Sequence, residues 1–271
     1  MIACTIAGSD SGGGAGIQAD LKTFQELGVF GTSVITALTA QNTTGVHGIF
    51  PITASFVQAQ LKAVLEDFDV KAIKTGMLFD ASIIEGVVAL LKEQQIPLIV
   101  DPVMIAKGGA SLLEQQAVRA MKEQLLPIAT VCTPNIPEAE VLTGRTIQTK
   151  QDIDQAANDL LALGVQCVVL KGGHLDGALA TDSVYWNGGH FTMTTPRVQT
   201  KDTHGSGCTF SAALTAKLAK GLSMKEAMIE AKKFIHLAIS TPLSIGHGHG
   251  PTNHFAYKLE EGKCEVLIHE S

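Results

Sequence analysis

The chain has 271 residues, and a content of 45% hydrophobic against 17% charged residues excludes a disordered protein and provides for a large buried core. A formal net charge of −6, without a dense stripe of Lys and Arg, argues against nucleic acid or an anionic membrane as a partner. The 5 cysteines are scattered and form no CxxC pair, which indicates neither a disulfide framework nor a zinc cluster.

The first apolar segment ends at Gly8, which makes it too short for the core of a signal peptide. No later apolar run reaches the length of a membrane span. Together with the cysteine pattern, these features predict a soluble protein of the reducing cytoplasm with no membrane partner.

Short apolar and β-branched segments predict strands, and they lack the alternation of polar and apolar residues that a sheet with one wet face would show. These segments cover residues 2–7, 33–40, 70–75, 98–103, 130–133 and 167–171. Helical periodicity lies between them, over residues 17–27 with Gly28 as the expected C-cap, and over 83–92 and 151–163. The alternation predicts an α/β fold, with a mostly parallel central sheet flanked by helices on both faces.

A small β-hairpin is expected to interrupt this alternation. Residues 183–195 predict two short strands around the sequence NGG at 187–189, which is a strong turn signal. Residues 207–240 are mainly helical in pattern, and no repeat, low-complexity tract or linker divides the chain. The simplest interpretation is a single domain over residues 1–271.

Residues 7–16 form a glycine-rich segment between the first predicted strand and the first predicted helix. Glycines there permit a close approach of the backbone to a ligand, and the N-terminus of the following helix favours an anion. The segment fits neither the dinucleotide fingerprint with its downstream acid nor the P-loop, since no Gly-Lys-Ser/Thr closes it. On its own it is most simply a flexible turn.

Residues 202–208, with the sequence DTHGSGC, lead into another predicted helix. Gly205, Ser206 and Gly207 place several N–H groups at the positive end of that helix, where they can hold the charge of a transferring phosphoryl group. The same field is expected to lower the pKa of the Cys208 thiol. The residues alone leave a purely structural helix entry as an equal alternative.

The DTHGSGC segment resembles the DTxGAGD signature of the ribokinase superfamily, in which the final Asp is the base for the accepting hydroxyl. Cys208 stands at the position of that Asp, a replacement typical of the vitamin-kinase branch, which phosphorylates hydroxymethylpyrimidines or pyridoxal. The resemblance implies a ribokinase-like, ATP-dependent kinase in which Cys208 is the base. It also implies that Gly205, Ser206 and Gly207 form the anion hole.

Segments over nearly the whole chain are similar to the hydroxymethylpyrimidine and phosphomethylpyrimidine kinases of this branch. They are residues 7–10 and 13–20 of the glycine-rich opening, 74–78 (KTGML), 101–104 (DPVM), 135–138 (NIPE) and 246–251 (GHGHGP), with Gly12 where serine is usual. The resemblance implies nucleotide contacts from Lys171, Thr203, Asn135 and Glu138. It also implies Mg²⁺ organised by Glu138 and Asp101 through water, which suits an ion that prefers few carboxylates plus phosphate oxygens.

Taken singly, these residues have simpler explanations. Glu138 and Asp101 could each be a helix cap or a surface charge, and Lys171 could be a solvated lysine at a turn. Residues 106–110, including Lys107, lack periodicity and are expected to form a flap whose closure excludes water, with an ordinary connection as the alternative.

The sequence AQNT around Gln41 indicates the acceptor best. A side-chain amide can pair with an aminopyrimidine edge, and pyridoxal-preferring relatives tend to lose this glutamine. Gly8, Asp20, Met77 and Val103 are expected in the same pocket, with Met77 and Val103 on either side of the ring. The resemblance thus implies phosphoryl transfer from ATP to a hydroxymethylpyrimidine and then to its monophosphate, for thiamine synthesis.

Three alternatives stay open. A pyridoxal kinase of the same fold would share Cys208. A non-catalytic nucleotide sensor is disfavoured by the presence of Cys208, Glu138 and Lys171, and a Rossmann dehydrogenase is disfavoured because no acid follows a proper fingerprint. Relatives are often dimers, so a homodimer is expected.

Overall fold

A computed structural model describes residues 1–104, 114–174, 177–260 and 264–270. Over these residues the strands are β1 (Ile2–Asp10), β2 (Phe30–Asn42), β3 (Gly45–Pro51), β4 (Val70–Thr75), β5 (Leu98–Val100), β6 (Val131–Cys132), β7 (Cys167–Leu170), β8 (Leu179–Trp186), β9 (Gly189–Pro196) and β10 (Leu267–Glu270). They form one sheet in the order β10-β9-β8-β7-β6-β5-β4-β1-β2-β3.

The centre of the sheet is parallel and its two edges are antiparallel. Strand β1 pairs in parallel with β2 and β4, and the parallel pairing continues from β4 through β5 and β6 to β7. Strand β3 is antiparallel at one edge, and β8, β9 and β10 are antiparallel at the other. The carboxyl ends of the parallel strands therefore meet along one edge, where open α/β sheets bind their ligands.

Helices cover both faces of the sheet. They are α1 (Gly16–Glu26), α2 (Ala54–Asp67), α3 (Ala81–Leu91), α4 (Gln115–Ala120), α5 (Ile136–Thr143), α6 (Lys150–Ala162), α7 (Ser206–Ala219), α8 (Met224–Ser240) and α9 (Ala256–Leu259). Side chains of α2, α3 and α6 pack into one core with Cys4 of β1. Side chains of α1, α7 and α8 pack into a second core with Ala3 of β1. Successive residues of a strand point to opposite faces, so β1 contributes to both cores.

The fold predicted from the sequence is confirmed: a mostly parallel sheet lies between two helical layers, with a hairpin of β8 and β9. The predicted C-cap glycine also stands where expected, because Gly28 has a positive φ of 68° just after α1. The sequence analysis missed strand β3 and helix α2. Every residue of β3 is at least partly exposed, and α2 buries only Val57 and Leu61, so neither segment has a strong apolar pattern.

No helix within the four described ranges is both long and apolar enough to cross a lipid bilayer.

Candidate active site

The carboxyl edge of the sheet opens into a cavity of about 890 Å³. Its walls come from the ends of β1, β4, β5 and β7, from β2, and from the N-terminus of α7. Most of the side chains and glycines predicted from the sequence line it: Gly8, Gln41, Met77, Asp101, Val103, Asn135, Glu138, Lys171, Thr203, Gly205, Ser206, Gly207 and Cys208. The topology thus brings together residues that are far apart in the chain.

The N-terminus of helix α7 forms the floor of the cavity. Gly205 is its N-cap with a positive φ of 78°, and the first-turn amides of a helix have no acceptor within the helix. The glycine-rich loop packs directly against this turn, since a Cβ added to Gly205 would lie 1.8 Å from the carbonyl oxygen of Gly14. Only glycine permits this approach, which holds the amides of α7 against the loop after β1.

Replacing Gly205 by Ala is expected to lower the kcat of the phosphoryl transfer predicted from the sequence about 100-fold, because the added Cβ would overlap the Gly14 carbonyl and displace the amides at the start of α7. The measurement is steady-state phosphorylation with ATP and each acceptor in turn. Gly221→Ala is the matched control, since Gly221 also has a positive φ, of 83°, but has no atom within 4 Å of the added Cβ. Equal losses in the two variants would trace the effect to backbone strain instead of to the anion hole.

Cys208 lies in the first turn of α7, half-buried at the cavity surface. Burial raises the pKa of its thiol to about 11, and the carboxylates of Asp20 and Asp101 add to the rise, while Lys74 opposes it. The prediction that this pKa is lowered is therefore wrong, because the loss of solvation outweighs the opposing effect of Lys74. The free protein carries Cys208 as a neutral thiol at neutral pH.

Asp20 does not line the cavity, so the prediction that it belongs to the acceptor pocket is wrong. Its side chain is 0% exposed, as is that of Lys74, whose Nζ lies 2.8 Å from both carboxylate oxygens. Thr5 Oγ1 donates to the same carboxylate at 2.6 Å. Lys74 and Thr5 place three hydrogen bonds on this carboxyl group, and an ammonium group 2.8 Å from both oxygens favours the ionic form of the pair. Burial raises the pKa of Asp20 above its ordinary value, although Lys74 and Thr5 oppose the rise. Burial alone would lower the pKa of Lys74, but Asp20 outweighs it and holds this pKa above its ordinary value.

Asp101 lies beside Lys171 in the cavity wall. Its Oδ1 accepts hydrogen bonds from Lys171 Nζ at 3.1 Å and Thr133 Oγ1 at 3.3 Å, and its Oδ2 accepts one from Ser211 Oγ at 3.1 Å. Burial alone would raise the pKa of Asp101, but Lys171 and Lys74 outweigh it and lower the pKa. The lysine is thereby held at the end of β7 with its ammonium group at the cavity.

Glu138 and Asn135 start helix α5 with a capping box. Asn135 Oδ1 accepts from the Glu138 N–H at 2.9 Å, and Glu138 Oε2 accepts from the Asn135 N–H at 2.8 Å. Burial raises the pKa of Glu138 to about 7, with Lys171 opposing the rise and Asp101 adding to it. The helix-cap alternative is therefore correct for Glu138, and it is compatible with a site role because the residue also lines the cavity.

Gln41, Met77 and Gly8, which the sequence predicts to bind the acceptor, all line the cavity. A Cβ on Gly8 would lie 2.5 Å from Met77 Cε, so the glycine makes room for the methionine side chain. The Gln41 amide contacts His204, which in turn contacts Asp10. Lys107 and the predicted flap lie outside the described residues, so the flap stays a prediction.

The sequence analysis assigned no role to several residues of the cavity. His204 lies within the DTHGSGC segment, and this position is the sequence signal from which a site role for it could have been inferred. At the opposite end, Lys232 Nζ donates to Asp182 Oδ2 at 2.8 Å, and Asp182 Oδ1 accepts from the Gly172 N–H at 3.0 Å. No local motif marks this pair, because its two members are 50 residues apart and meet only in the fold.

The family model described as phosphomethylpyrimidine kinase matches residues 10–253. This chain belongs to the phosphomethylpyrimidine kinase family. The hydroxymethylpyrimidine/phosphomethylpyrimidine kinase of Haemophilus influenzae is 57% identical over 258 residues, covering 93% of this chain and 96% of that protein. The kinase family predicted from the sequence is thereby confirmed.

Two further relatives extend the comparison. The thiamine biosynthesis bifunctional protein ThiED of Geobacter sulfurreducens is 50% identical over 251 residues, covering 92% of this chain and 51% of that protein. The structure of the pyridoxal kinase from Staphylococcus aureus in complex with AMP-PCP and pyridoxal superposes with a TM-score of 0.90 at 38% identity, covering 100% of this chain and 98% of that one. The ribokinase-like fold is shared by both kinds of vitamin kinase.

Proposed function

We propose that this kinase transfers the γ-phosphoryl group of ATP to 4-amino-5-hydroxymethyl-2-methylpyrimidine and then phosphorylates the monophosphate, for thiamine biosynthesis. The observation that carries the proposal is one continuous cavity with Gln41 at one end and Lys171 at the other. Cys208 and the amide-lined turn of α7 lie in the same cavity. The names of the related proteins support the same chemistry.

The acceptor end fits a flat heteroaromatic ring. Met77 and Val103 line the cavity on different strand ends and supply apolar contact, while the Gln41 amide supplies donors and acceptors for the amino-substituted edge. The hydroxymethyl group then points toward Cys208. We assign the substrate-binding role to these residues and to Gly8, whose lack of a side chain leaves room for Met77.

The phosphate end holds the nucleotide. Lys171 is positioned by Asp101, and it neutralises charge on the transferring group, as in other phosphoryl-transfer sites. Thr203 and Asn135 also line this region. The AMP-PCP complex of the related pyridoxal kinase supports the use of ATP by this fold.

Mg²⁺ fits the donor set of this site. Glu138 caps α5 with Oε2 and keeps its side chain at the cavity, while both oxygens of Asp101 already accept hydrogen bonds. The ion would therefore be held by Glu138, and by Asp101 through water, with phosphate oxygens completing its shell. When bound, it neutralises the charge that builds up on the phosphate oxygens.

In the first transfer the acceptor oxygen attacks the γ-phosphorus, the bond to the bridging oxygen of ADP breaks, and the hydroxyl proton passes to the thiolate form of Cys208, which becomes the thiol. The amides of Gly205, Ser206 and Gly207 hold the phosphoryl oxygens in the transition state. In the second transfer a phosphate oxygen is the nucleophile and needs no base. Positioning and charge neutralisation then suffice.

The proposal is tested by an ATP-coupled assay with hydroxymethylpyrimidine, its monophosphate and pyridoxal in parallel. Efficient turnover of the first two acceptors with poor use of pyridoxal is the expected result. Strong pyridoxal turnover without phosphorylation of the monophosphate would reject the thiamine assignment. A pyridoxal kinase is the second candidate because the related structure holds pyridoxal in the same fold.

Replacing Gln41 by Ala is expected to raise KM for the pyrimidine about tenfold or more, because one or two hydrogen bonds to the ring edge are lost. KM for pyridoxal, which lacks the amino-substituted edge, should change less. Gln95→Ala is the matched control, since Gln95 is exposed and distant from the cavity lining. An equal rise in KM for both acceptors would mean that Gln41 does not select the pyrimidine over pyridoxal.

We also propose that residues 1–271 act as a single domain and that the enzyme is a cytoplasmic homodimer. Exposed apolar side chains on the β2–β3 edge and on α2 support an association, among them Leu38, Phe50 and Phe56. Light scattering on the purified protein measures this directly, and a monomer at micromolar concentration would reject the dimer.

A further inference from the structure

A hydrogen-bonded cluster of Asp10, Thr39, Gln41 and His204 lines the acceptor end of the cavity. His204 Nε2 lies 2.8 Å from Asp10 Oδ2, and the side-chain amide of Gln41 lies 3.3 Å from the same ring nitrogen. The other end of this amide lies 3.1 Å from Thr39 Oγ1. His204 thus joins Gln41 to the glycine-rich loop, and it directly precedes the N-cap of α7.

The contact with Asp10 determines where the proton of His204 lies. Asp10 Oδ2 also accepts from the N–H groups of Gly14 at 3.0 Å and Ala15 at 2.9 Å. Burial alone would raise the pKa of Asp10, but His204 and the loop amides outweigh it and lower the pKa. An ionised carboxylate only accepts hydrogen bonds, so Nε2 of His204 carries the proton of this contact.

The proton on Nε2 determines the orientation of the Gln41 amide. In the structure, Gln41 Nε2 faces His204 Nε2 and Gln41 Oε1 faces Thr39 Oγ1. A protonated ring nitrogen cannot accept a hydrogen bond, so we assign the reverse orientation, in which the amide oxygen faces His204 and shares its N–H with Asp10. The single Thr39 hydroxyl proton has two acceptors within reach, the Ser9 carbonyl at 2.9 Å and the Gln41 amide at 3.1 Å. When it is donated to the nearer Ser9 carbonyl, the Thr39 oxygen accepts from the amide NH₂, which agrees with this orientation. The oxygen and nitrogen of a glutamine amide are assigned from their partners, and both partners fit this assignment.

The backbone of Gln41 is held as well. Ser11 Oγ donates to the Gln41 carbonyl at 2.7 Å and accepts from the Gln41 N–H at 2.8 Å. With its backbone and both ends of its amide engaged, Gln41 retains one N–H and one oxygen lone pair for a ligand. An aminopyrimidine presents the complementary pair, a ring nitrogen that accepts beside an amino group that donates.

We propose that His204 is a positioning residue that makes the site selective for an aminopyrimidine, by holding the Gln41 amide in the orientation that matches this edge. The inference rests on the proposed function and adds the residue that enforces its acceptor choice. Pyridoxal carries an aldehyde and a hydroxyl at the corresponding edge, so its binding depends less on the orientation of the amide. His204 also ties the acceptor contact to the turn that begins α7, since Gly205 follows it.

The test is steady-state kinetics of His204→Leu and His204→Gln with both acceptors. His204→Leu is expected to lower the ratio of kcat/KM for the pyrimidine over pyridoxal about tenfold, mostly through KM, because one orienting hydrogen bond is lost. His204→Gln keeps an N–H donor at similar reach and should restore most of the ratio. In the Gln41→Ala background, His204→Leu should leave the ratio unchanged, because the two residues act as one unit.

Equal losses on both acceptors, or a ratio that falls further in the Gln41→Ala background, would overturn the inference and assign His204 to α7 alone. Calorimetric binding of the pyrimidine to the free enzyme gives the same comparison without turnover, with about a tenfold weaker Kd expected for His204→Leu. Failure of the parent enzyme to phosphorylate the pyrimidine would instead reject the proposed function. The two failures are therefore distinguishable.

Discussion

Replacing Lys74 by Met is expected to destabilise the protein by about 3–5 kcal/mol, because it leaves the Asp20 carboxylate buried and without its charged partner. Both side chains are 0% exposed, so neither water nor salt can take the place of the missing ammonium group. Since a domain is typically stable by about 5–15 kcal/mol, this is a large fraction of the total. The free energy of unfolding in urea measures it.

Two further variants make the result interpretable. Lys62→Met breaks the exposed ion pair of Lys62 with Glu66, in which both side chains are 65% exposed, and should cost less than about 1 kcal/mol. Asp20→Leu combined with Lys74→Met removes both charges and should recover much of the stability lost by Lys74→Met alone. A double variant as unstable as the single one would mean that packing, and not the unpaired charge, sets the effect.

The sequence predicted the sheet and the glycine-containing turn at the start of α7 because both leave local signals. Strand β4 is buried at every residue except Lys71, and glycines at residues 205 and 207 stand directly before and within the first turn of α7. Each feature depends on residues that are neighbours in the chain. The resemblance then connected these local features into one site, and the cavity contains most of the residues it named.

The errors concern properties that depend on distant residues. Asp20 lies 54 residues from Lys74. The sequence pattern therefore showed a carboxylate on a helix but not the ion pair with Lys74, which keeps this carboxylate away from the cavity. The pKa of Cys208 was predicted from its own helix alone, whereas burial and the carboxylates of Asp20 and Asp101 raise it to about 11. Solvation in a site is a property of the assembled fold.

The raised pKa of Cys208 determines how the base role proposed for this residue would work. A thiol with a pKa of about 11 is almost fully protonated at neutral pH. Below this pKa, the fraction of thiolate increases about tenfold for each unit by which the pH rises. A thiolate in this setting is scarce but strongly basic, which suits proton transfer from an alcohol. The first transfer should therefore accelerate as pH rises between roughly pH 6 and pH 9, whereas the second should show no such dependence on Cys208.

Cys208→Ala is accordingly expected to slow the first transfer by about 10²–10⁴-fold and the second by less than about tenfold, because only the hydroxymethyl acceptor must lose a proton to the protein. Single-turnover rates with the pyrimidine and with its monophosphate separate the two steps. Cys264→Ala is the matched control, since Cys264 is a half-buried thiol that does not line the cavity. The pH dependence of the first transfer should disappear together with the thiol. Equal losses in both steps, with the pH dependence retained, would instead place Cys208 among the groups that hold the phosphoryl oxygens, because those groups serve both transfers alike.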